Sequence, residues 1–335
     1  MADVAVTGAT GFIGSGVVRK LLDRGRSVRC LVEPGAPTSN LAGLAVDVIP
    51  VDICDYAKLR RAMSGCESLF HLAAIYKLWL PDEEVIHRTN VEGTVTTLLA
   101  AQAEKIRRVV YTSSIAAIGI AEQGEADETH RFNLFDIASP YILTKWQSER
   151  VAMRFAESGL PVVVVNPAFP FGPRDIAPTP TGNIVLSLLE GKVPGRGIGG
   201  LCTIDVDDCA EGHLLAEEKG RVGERYILGG DNITLCDFFD LVCRVGGVRA
   251  PWVRFPSALA RATAFGLEWW ADHVSHTEPL ATYRGIRYAQ MDGFFSNAKA
   301  KRELGLTTRS LEETVRRAVE WFRGDFLRVA RPAAS

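Results

Sequence analysis

Short β-branched runs alternate along this chain with segments whose apolar residues recur at helical spacing. DVAVT (3–7), SVRCLV (27–32), DVIPVD (47–52), SLFHLAA (68–74), RRVVYTSS (107–114) and PVVVVNP (161–167) read as strands. Between them SGVVRKLLDRG, EEVIHRTNVEGTVTTLLAAQAE and SPYILTKWQSERVAMRFAESG read as helices that stop at Gly or just before the next apolar run. Strands separated by helix-length patterns need crossover connections. The expected fold class is therefore α/β, a Rossmann-type doubly wound parallel sheet with an interleaved smaller C-terminal domain.

The rhythm breaks after Asn166, where PAFPFGPRDIAPTPTGN concentrates Pro and Gly at the carboxyl end of a predicted strand. Open α/β sheets bind ligands at that edge, so the segment reads as a substrate loop. Sheet-like sequence returns at CTIDV and RYILGG, and an aromatic-rich stretch over 250–295 precedes a closing helix, SLEETVRRAVEWFRG. The expected division is a dinucleotide-binding domain over 1–168, rejoined by 203–246, and a substrate-binding region from 169–202 and 247–330.

Composition narrows the function classes. The 335 residues are 47% hydrophobic and 23% charged, as in an ordinary globular protein. Lys and Arg number 38 against 40 Asp and Glu, a net charge of −2, which lacks the basic excess that holds nucleic acid. Seven cysteines without a CxxC pair fit neither a disulfide framework nor a zinc ribbon and point to a reducing, cytoplasmic setting. The chain enters a strand pattern at once, leaving no room for a signal peptide. No apolar run approaches the ~18 residues of a membrane span, which leaves only peripheral membrane contact open.

TGATGFIG puts Gly8, Gly11 and Gly14 between the first strand and the first helix. Glycines there allow a tight turn and close backbone approach, so that the helix amides can bind a pyrophosphate; Thr10, Phe12 and Ile13 complete the turn. The residue that reads the adenosine ribose is expected about 20 positions on, and Glu33 lies 19 after Gly14. A carboxylate accepts both ribose hydroxyls and repels a 2′-phosphate, which favours NAD over NADP; otherwise Glu33 is a solvated turn residue. Asp52 and Ile53, ending the third strand, are candidates for the adenine, and Leu72, Ala73 and Ala74 for the phosphates. Pro167 is a further cofactor-binding candidate.

SPYILTK places Tyr141 and Lys145 four residues apart, on one face of a helix. A phenol with an ordinary pKa near 10 is a poor base at neutral pH; a neighbouring ammonium and an oxidised nicotinamide favour its phenolate. Lys145 would also hold the nicotinamide ribose. YTSS offers hydroxyls at the carboxyl edge of the sheet. Ser114 is taken as the one that orients the substrate oxygen, with Ser113 as the alternative one register away. Tyr76, Lys77, Phe169 and Arg174 sit on segments that should approach the substrate.

Other groupings have plainer readings. Asp205, Asp207, Asp208, Glu211 and His213 superficially suggest a metal site, but Asp208 followed by Glu211 fits a helix capping box with acids at the positive dipole end. No metal is expected. Trp252, Trp269 and Trp270 fit an apolar substrate wall or ordinary core packing.

Together TGATGFIG, Asp52, HLAA, TNVEGT with Asn90, YTSS, Tyr141 with Lys145, and NPAFPFGP resemble the extended short-chain dehydrogenase/reductase superfamily over essentially the whole chain. The resemblance implies Ser114, Tyr141 and Lys145 as catalytic residues, Asn90 as a structural link between helix and strand, and a homodimer. Within the superfamily, DVDDCAEGHLLAEEKGRVGERYILGGDNITL and FFSNAKAKRELG look like the hopanoid-associated sugar epimerases, themselves similar to dihydroflavonol 4-reductases. Plant reductases of that type carry Arg where Glu33 stands, which puts NADPH dependence in doubt. The function expected is NAD(P)-dependent hydride transfer to or from a carbonyl or alcohol carbon of a small-molecule or lipid-linked substrate. The alternatives are an NAD-dependent sugar or polyol epimerase without net redox change and, outside enzymes, a dinucleotide-sensing binding module.

Overall fold

Alternate residues of the strands enter opposite cores, which fixes the layered arrangement. In the computed structural model, which describes residues 2–77, 79–253 and 256–326, the six strands expected from the pattern are β1 (Val4–Thr7), β2 (Val28–Val32), β3 (Asp47–Pro50), β4 (Ser68–His71), β5 (Arg108–Thr112) and β6 (Val162–Pro167). With β9 (Arg225–Leu228), after β7 (Phe169–Phe171) and β8 (Gly200–Asp205), they form a parallel seven-stranded sheet ordered β3-β2-β1-β4-β5-β6-β9. Val4, Val6, Phe70, Val110, Val163 and Val165 face one core. Ala5, Leu69, Val109, Val162 and Val164 face the other, as strands covered on both faces must.

Helices α1 (Phe12–Asp23) and α7 (Val206–Lys219) cover the first face. The second is covered by α2 (Tyr56–Met63), α4 (Gly93–Ala103) and α5 (Pro140–Glu157). The long helical pattern after residue 82 is not one regular helix: α3 (Glu84–His87) runs into α4 through a π-helical turn at Arg88–Glu92 that carries the buried Asn90. Pi turns concentrate at functional positions, and this one aims an asparagine inward.

CTIDV forms β8 but pairs outside the main sheet, with β7, β10 (Asn232–Thr234) and β11 (Asp292–Gly293). A third core lies there, where Phe171 and Leu201 meet α6 (Pro180–Leu189), α8 (Leu235–Gly246) and α11 (Leu311–Arg323). The cap of α7 also differs from the expected capping box. Asp205, the last residue of β8, accepts the Asp207 amide at 2.8 Å, while Glu211 pairs with Lys20 and Arg24 instead. Asp205, Asp207 and Asp208 are neutralised by Arg174, Arg309 and Arg317. Among the described residues no helix is long and apolar enough to cross a membrane, and no group of three or more His, Cys, Asp or Glu is placed to hold a metal.

Packing makes a graded prediction. Leu69 is fully buried beneath the sheet and Val85 on α3 is 44% exposed. Leu69→Ala should cost about 2–5 kcal/mol and Val85→Ala within about 0.5 kcal/mol, read from urea midpoints at unchanged m-value.

Candidate active site

The strand order reverses between β1 and β4, and the carboxyl ends of β1, β4, β5 and β6 open there into a cavity of about 660 Å³. Gly8 takes a left-handed φ of +67°, and a Cβ on it would stand 2.7 Å from the Ala73 amide nitrogen; a Cβ on Gly14 would strike the Gly8 carbonyl. The chain here therefore accepts only glycine. It leads into α1, whose N-cap is Gly11, with no side-chain cap and no acid in the first turn. Free helix amides beside a backbone cradle fit the pyrophosphate of a dinucleotide. The buried Arg174 Nε and Ser113 hydroxyl, both on cavity-lining residues, have no protein partner, which further suits a polar ligand.

A buried hydrogen-bond chain fixes the floor. Leu72 and Ala73 amides donate to Thr7 Oγ1, each at 3.2 Å, and Thr7 Oγ1 lies 2.7 Å from His71 Nδ1. His71 Nε2 reaches Thr94 Oγ1 at 3.2 Å, and Thr94 donates to the Asn90 carbonyl at 2.7 Å. That last bond uses the threonine proton, so His71 donates from Nε2 and accepts at Nδ1. The Asn90 side chain accepts the Ile75 amide at 2.7 Å, donates to the Ile75 carbonyl at 3.2 Å and donates to Thr144 Oγ1 at 3.1 Å. Thr144 in turn donates to the Tyr141 carbonyl at 3.0 Å, tying the loop after β4 to the first turn of α5.

On that turn Ser139 caps the helix with Pro140 at its first position. Tyr141 and Lys145, both buried, project into the cavity. The Ser114 hydroxyl favours the Tyr141 phenolate, and its Oγ accepts the Ala116 amide at 3.1 Å. Lys145 donates to the Thr112 carbonyl at 2.9 Å. Burial pulls this ammonium down to about 8, opposed by the carboxylate of Glu149 one turn on. Glu149 bonds Arg225 at 2.8 Å and Asn166 Nδ2 at 2.6 Å. The phenol does not follow the sequence expectation: with only protein groups around it, burial pushes Tyr141 up to about 12, offset by Ser114, and the ammonium does not reverse it.

Of the residues singled out in the sequence, Gly8, Thr10, Gly11, Phe12, Ile13, Gly14, Leu72, Ala74, Tyr76, Ser113, Ser114, Tyr141, Lys145, Pro167, Phe169 and Arg174 line the cavity. Glu33, Asp52 and Lys77 are exposed and outside its lining. Ile53 packs beneath α4, where a Cβ on Gly93 would meet it, and Ala73 presents its amide to Thr7. Trp252, Trp269 and Trp270 are neither cavity wall nor core: all three are more than half exposed. Sequence reasoning missed Asn40, which donates to the Thr10 and Arg174 carbonyls at 3.0 and 3.2 Å, and Glu149. A carboxylate one helical turn after Lys145 was the available signal for Glu149.

Away from the glycine turn the lining is mostly apolar, with Phe169, Phe171, Ile176, Ile184, Leu201 and Ile286, interrupted by Asp175, Thr181, Thr282 and Arg284. The Tyr76 ring lies 4.7 Å from that of Tyr141.

Residues 4–229 match the NAD dependent epimerase/dehydratase family. A Synechocystis protein provisionally named dihydroflavonol 4-reductase is 39% identical over 322 residues, 95% of this chain and 93% of its own. Sterol demethylase protein B of Methylococcus capsulatus is 33% identical over 321 residues, covering 95% of this chain and 97% of that one. The crystal structure of gox2253 superposes with a TM-score of 0.86 at 41% identity, covering 97% of this chain and 99% of that one.

The buried histidines give a pH signature. Burial pulls His71 down to about 3 and His213 to about 4. An unfolded chain protonates both near 6.5, so below that pH the unfolded state binds more protons and stability falls as pH drops toward 4. The urea midpoint should decline between pH 6.5 and 4. His213→Gln, which cannot take up that proton, should show a shallower decline.

Proposed function

The chain belongs to the NAD dependent epimerase/dehydratase family, and from that premise we propose that it carries out net hydride transfer on a carbonyl or alcohol carbon of a bulky apolar substrate, with Ser114, Tyr141 and Lys145 as its proton machinery. The observation that carries this reading is that those three side chains line one cavity with the glycine cradle, a cavity whose lining is mostly apolar.

Nicotinamide, when bound, supplies or accepts the hydride. Gly8, Gly11 and Gly14, with the first amides of α1, would hold its pyrophosphate. Ser114 orients the substrate oxygen. Tyr141, neutral at physiological pH, is poised to donate its hydroxyl proton to that oxygen in reduction and to recover it in oxidation. Lys145, fixed on the Thr112 carbonyl, holds the ribose side of the site and keeps a positive charge near the phenol.

The mostly apolar lining suits a polycyclic or prenyl-like body, a hopanoid-linked alcohol among them. The names of the dihydroflavonol and sterol relatives are in keeping with that choice. The family also contains epimerases, which oxidise and re-reduce one carbon and leave the cofactor unchanged overall.

Tyr141→Phe should fold normally, bind NADH with unchanged affinity by fluorescence titration and lose turnover by about two to four orders of magnitude; near-full activity defeats the assignment. Stoichiometric change at 340 nm with an apolar ketone or alcohol supports net redox, and product inversion with no change at 340 nm supports epimerisation. Glu33 follows β2 on the exposed side of the nucleotide edge. Wild type should bind NADH more tightly than NADPH, and Glu33→Arg should invert that order.

A further inference from the structure

The segment after residue 248 turns an apolar face to solvent. Helix α9 (Ser257–Trp270) has one buried residue, Ala264. Its charged side chains, Arg261 and Glu268, are half-buried, and Glu268 accepts the Tyr283 amide of α10 (Tyr283–Ala289) at 2.8 Å. The opposite arc carries Leu259, Phe265, Trp269 and Trp270, each between 51% and 61% exposed. Leu259 and Trp270 are three turns apart, and Phe265 and Trp269 one turn apart, so the four share one broad stripe. A helix on a water-soluble surface turns such a stripe inward; here it faces out. Trp252 and Leu280, 86% and 96% exposed, flank it.

This surface runs into the cavity mouth. Phe265 lies edge-on to Tyr283, with ring centroids 6.3 Å apart. From the same α10, Arg284, Ile286 and Tyr288 line the cavity, as does the exposed Leu280 just before it. Charge follows the same segment: residues 247–290 contain five arginines against three carboxylates, a net +2 in a chain of net −2. Tryptophans on an outward apolar stripe, in a segment of net positive charge, are the composition of a helix lying in a membrane interface with its indole rings at headgroup depth. A second copy of the chain would bring two net-positive segments together; an anionic surface is the complementary partner.

We infer that α9 and its flanks seat the protein peripherally on a bilayer containing anionic lipid, with the mouth of the cavity turned toward the acyl region. An apolar substrate then passes from the bilayer to the site along apolar surface. Docking is separable from the hydride chemistry, because none of the stripe residues lines the cavity.

The test is co-sedimentation of the full chain with phosphatidylcholine vesicles, with and without phosphatidylglycerol, alongside tryptophan emission. Binding to the phosphatidylglycerol vesicles with a blue shift, weakened by salt, is expected. Trp269→Ser/Trp270→Ser should bind about tenfold more weakly or worse, and Arg249→Glu should lose part of the phosphatidylglycerol dependence, both with wild-type circular dichroism and NADH affinity. Absence of vesicle binding overturns the inference, as does equal binding by the tryptophan variant. A wild-type dimer that shows no vesicle affinity and that the tryptophan variant converts to monomer in sedimentation velocity also overturns it, assigning the face to a second copy. None of these readouts requires turnover, so the docking surface and the hydride-transfer reading can fail independently.

Discussion

The buried side chain of Asn90 holds the site in register. It satisfies both backbone groups of Ile75 and the hydroxyl of Thr144, so the loop after β4 and the first turn of α5 are set by one residue. A buried group left without its partner costs about 1–3 kcal/mol, and displacement of Asn90 strands several at once. Its carbonyl also receives Thr94, which fixes the tautomer of His71 and, through Thr7, the amides of Leu72 and Ala73 beside the glycine turn. The cradle and the tyrosine are thereby parts of one polar scaffold rather than two neighbouring features.

Burial sets the protonation of Tyr141 and Lys145. The phenol of Tyr141 is raised and the ammonium of Lys145 lowered by the same loss of solvent. Glu149 opposes the second effect and is itself held by Arg225 and by Asn166 at the end of β6. Asn166 also donates to the Ser114 carbonyl at 2.9 Å, so the acid under the lysine and the strand end bearing the serine share a support. Tyr141, Lys145 and Ser114 are therefore positioned from below the sheet edge, at the floor of the cavity.

Local pattern carried much of this architecture. The six sheet strands, the glycine turn and the Tyr141–Lys145 spacing are written at periods of two and about four residues, and these are visible without tertiary information. Features that depend on long-range packing were not legible. β8 has the composition of a main-sheet strand, yet it pairs in the smaller sheet, with β7, β10 and β11, two of them distant in sequence. The Thr112 anchor of Lys145 is a backbone carbonyl, which side-chain identity cannot announce. The tryptophans of α9 were visible as part of an aromatic-rich stretch, but composition does not say which way a side chain faces, and neither wall nor core described them. Glu33 and Asp52 lie just past the ends of β2 and β3, exposed and outside the cavity lining.

A single residue, Ala168, separates β6 in the main sheet from β7 in the smaller one, and its own amide is bonded to Leu228 at 2.9 Å. Swinging the two lobes about this junction would rupture paired backbone on both sides of it. The junction is therefore built as a rigid weld between the two sheets, unlike the flexible strap of a two-domain clamp, and displacement concentrates away from it, toward α9, of whose residues none is a member of the three cores.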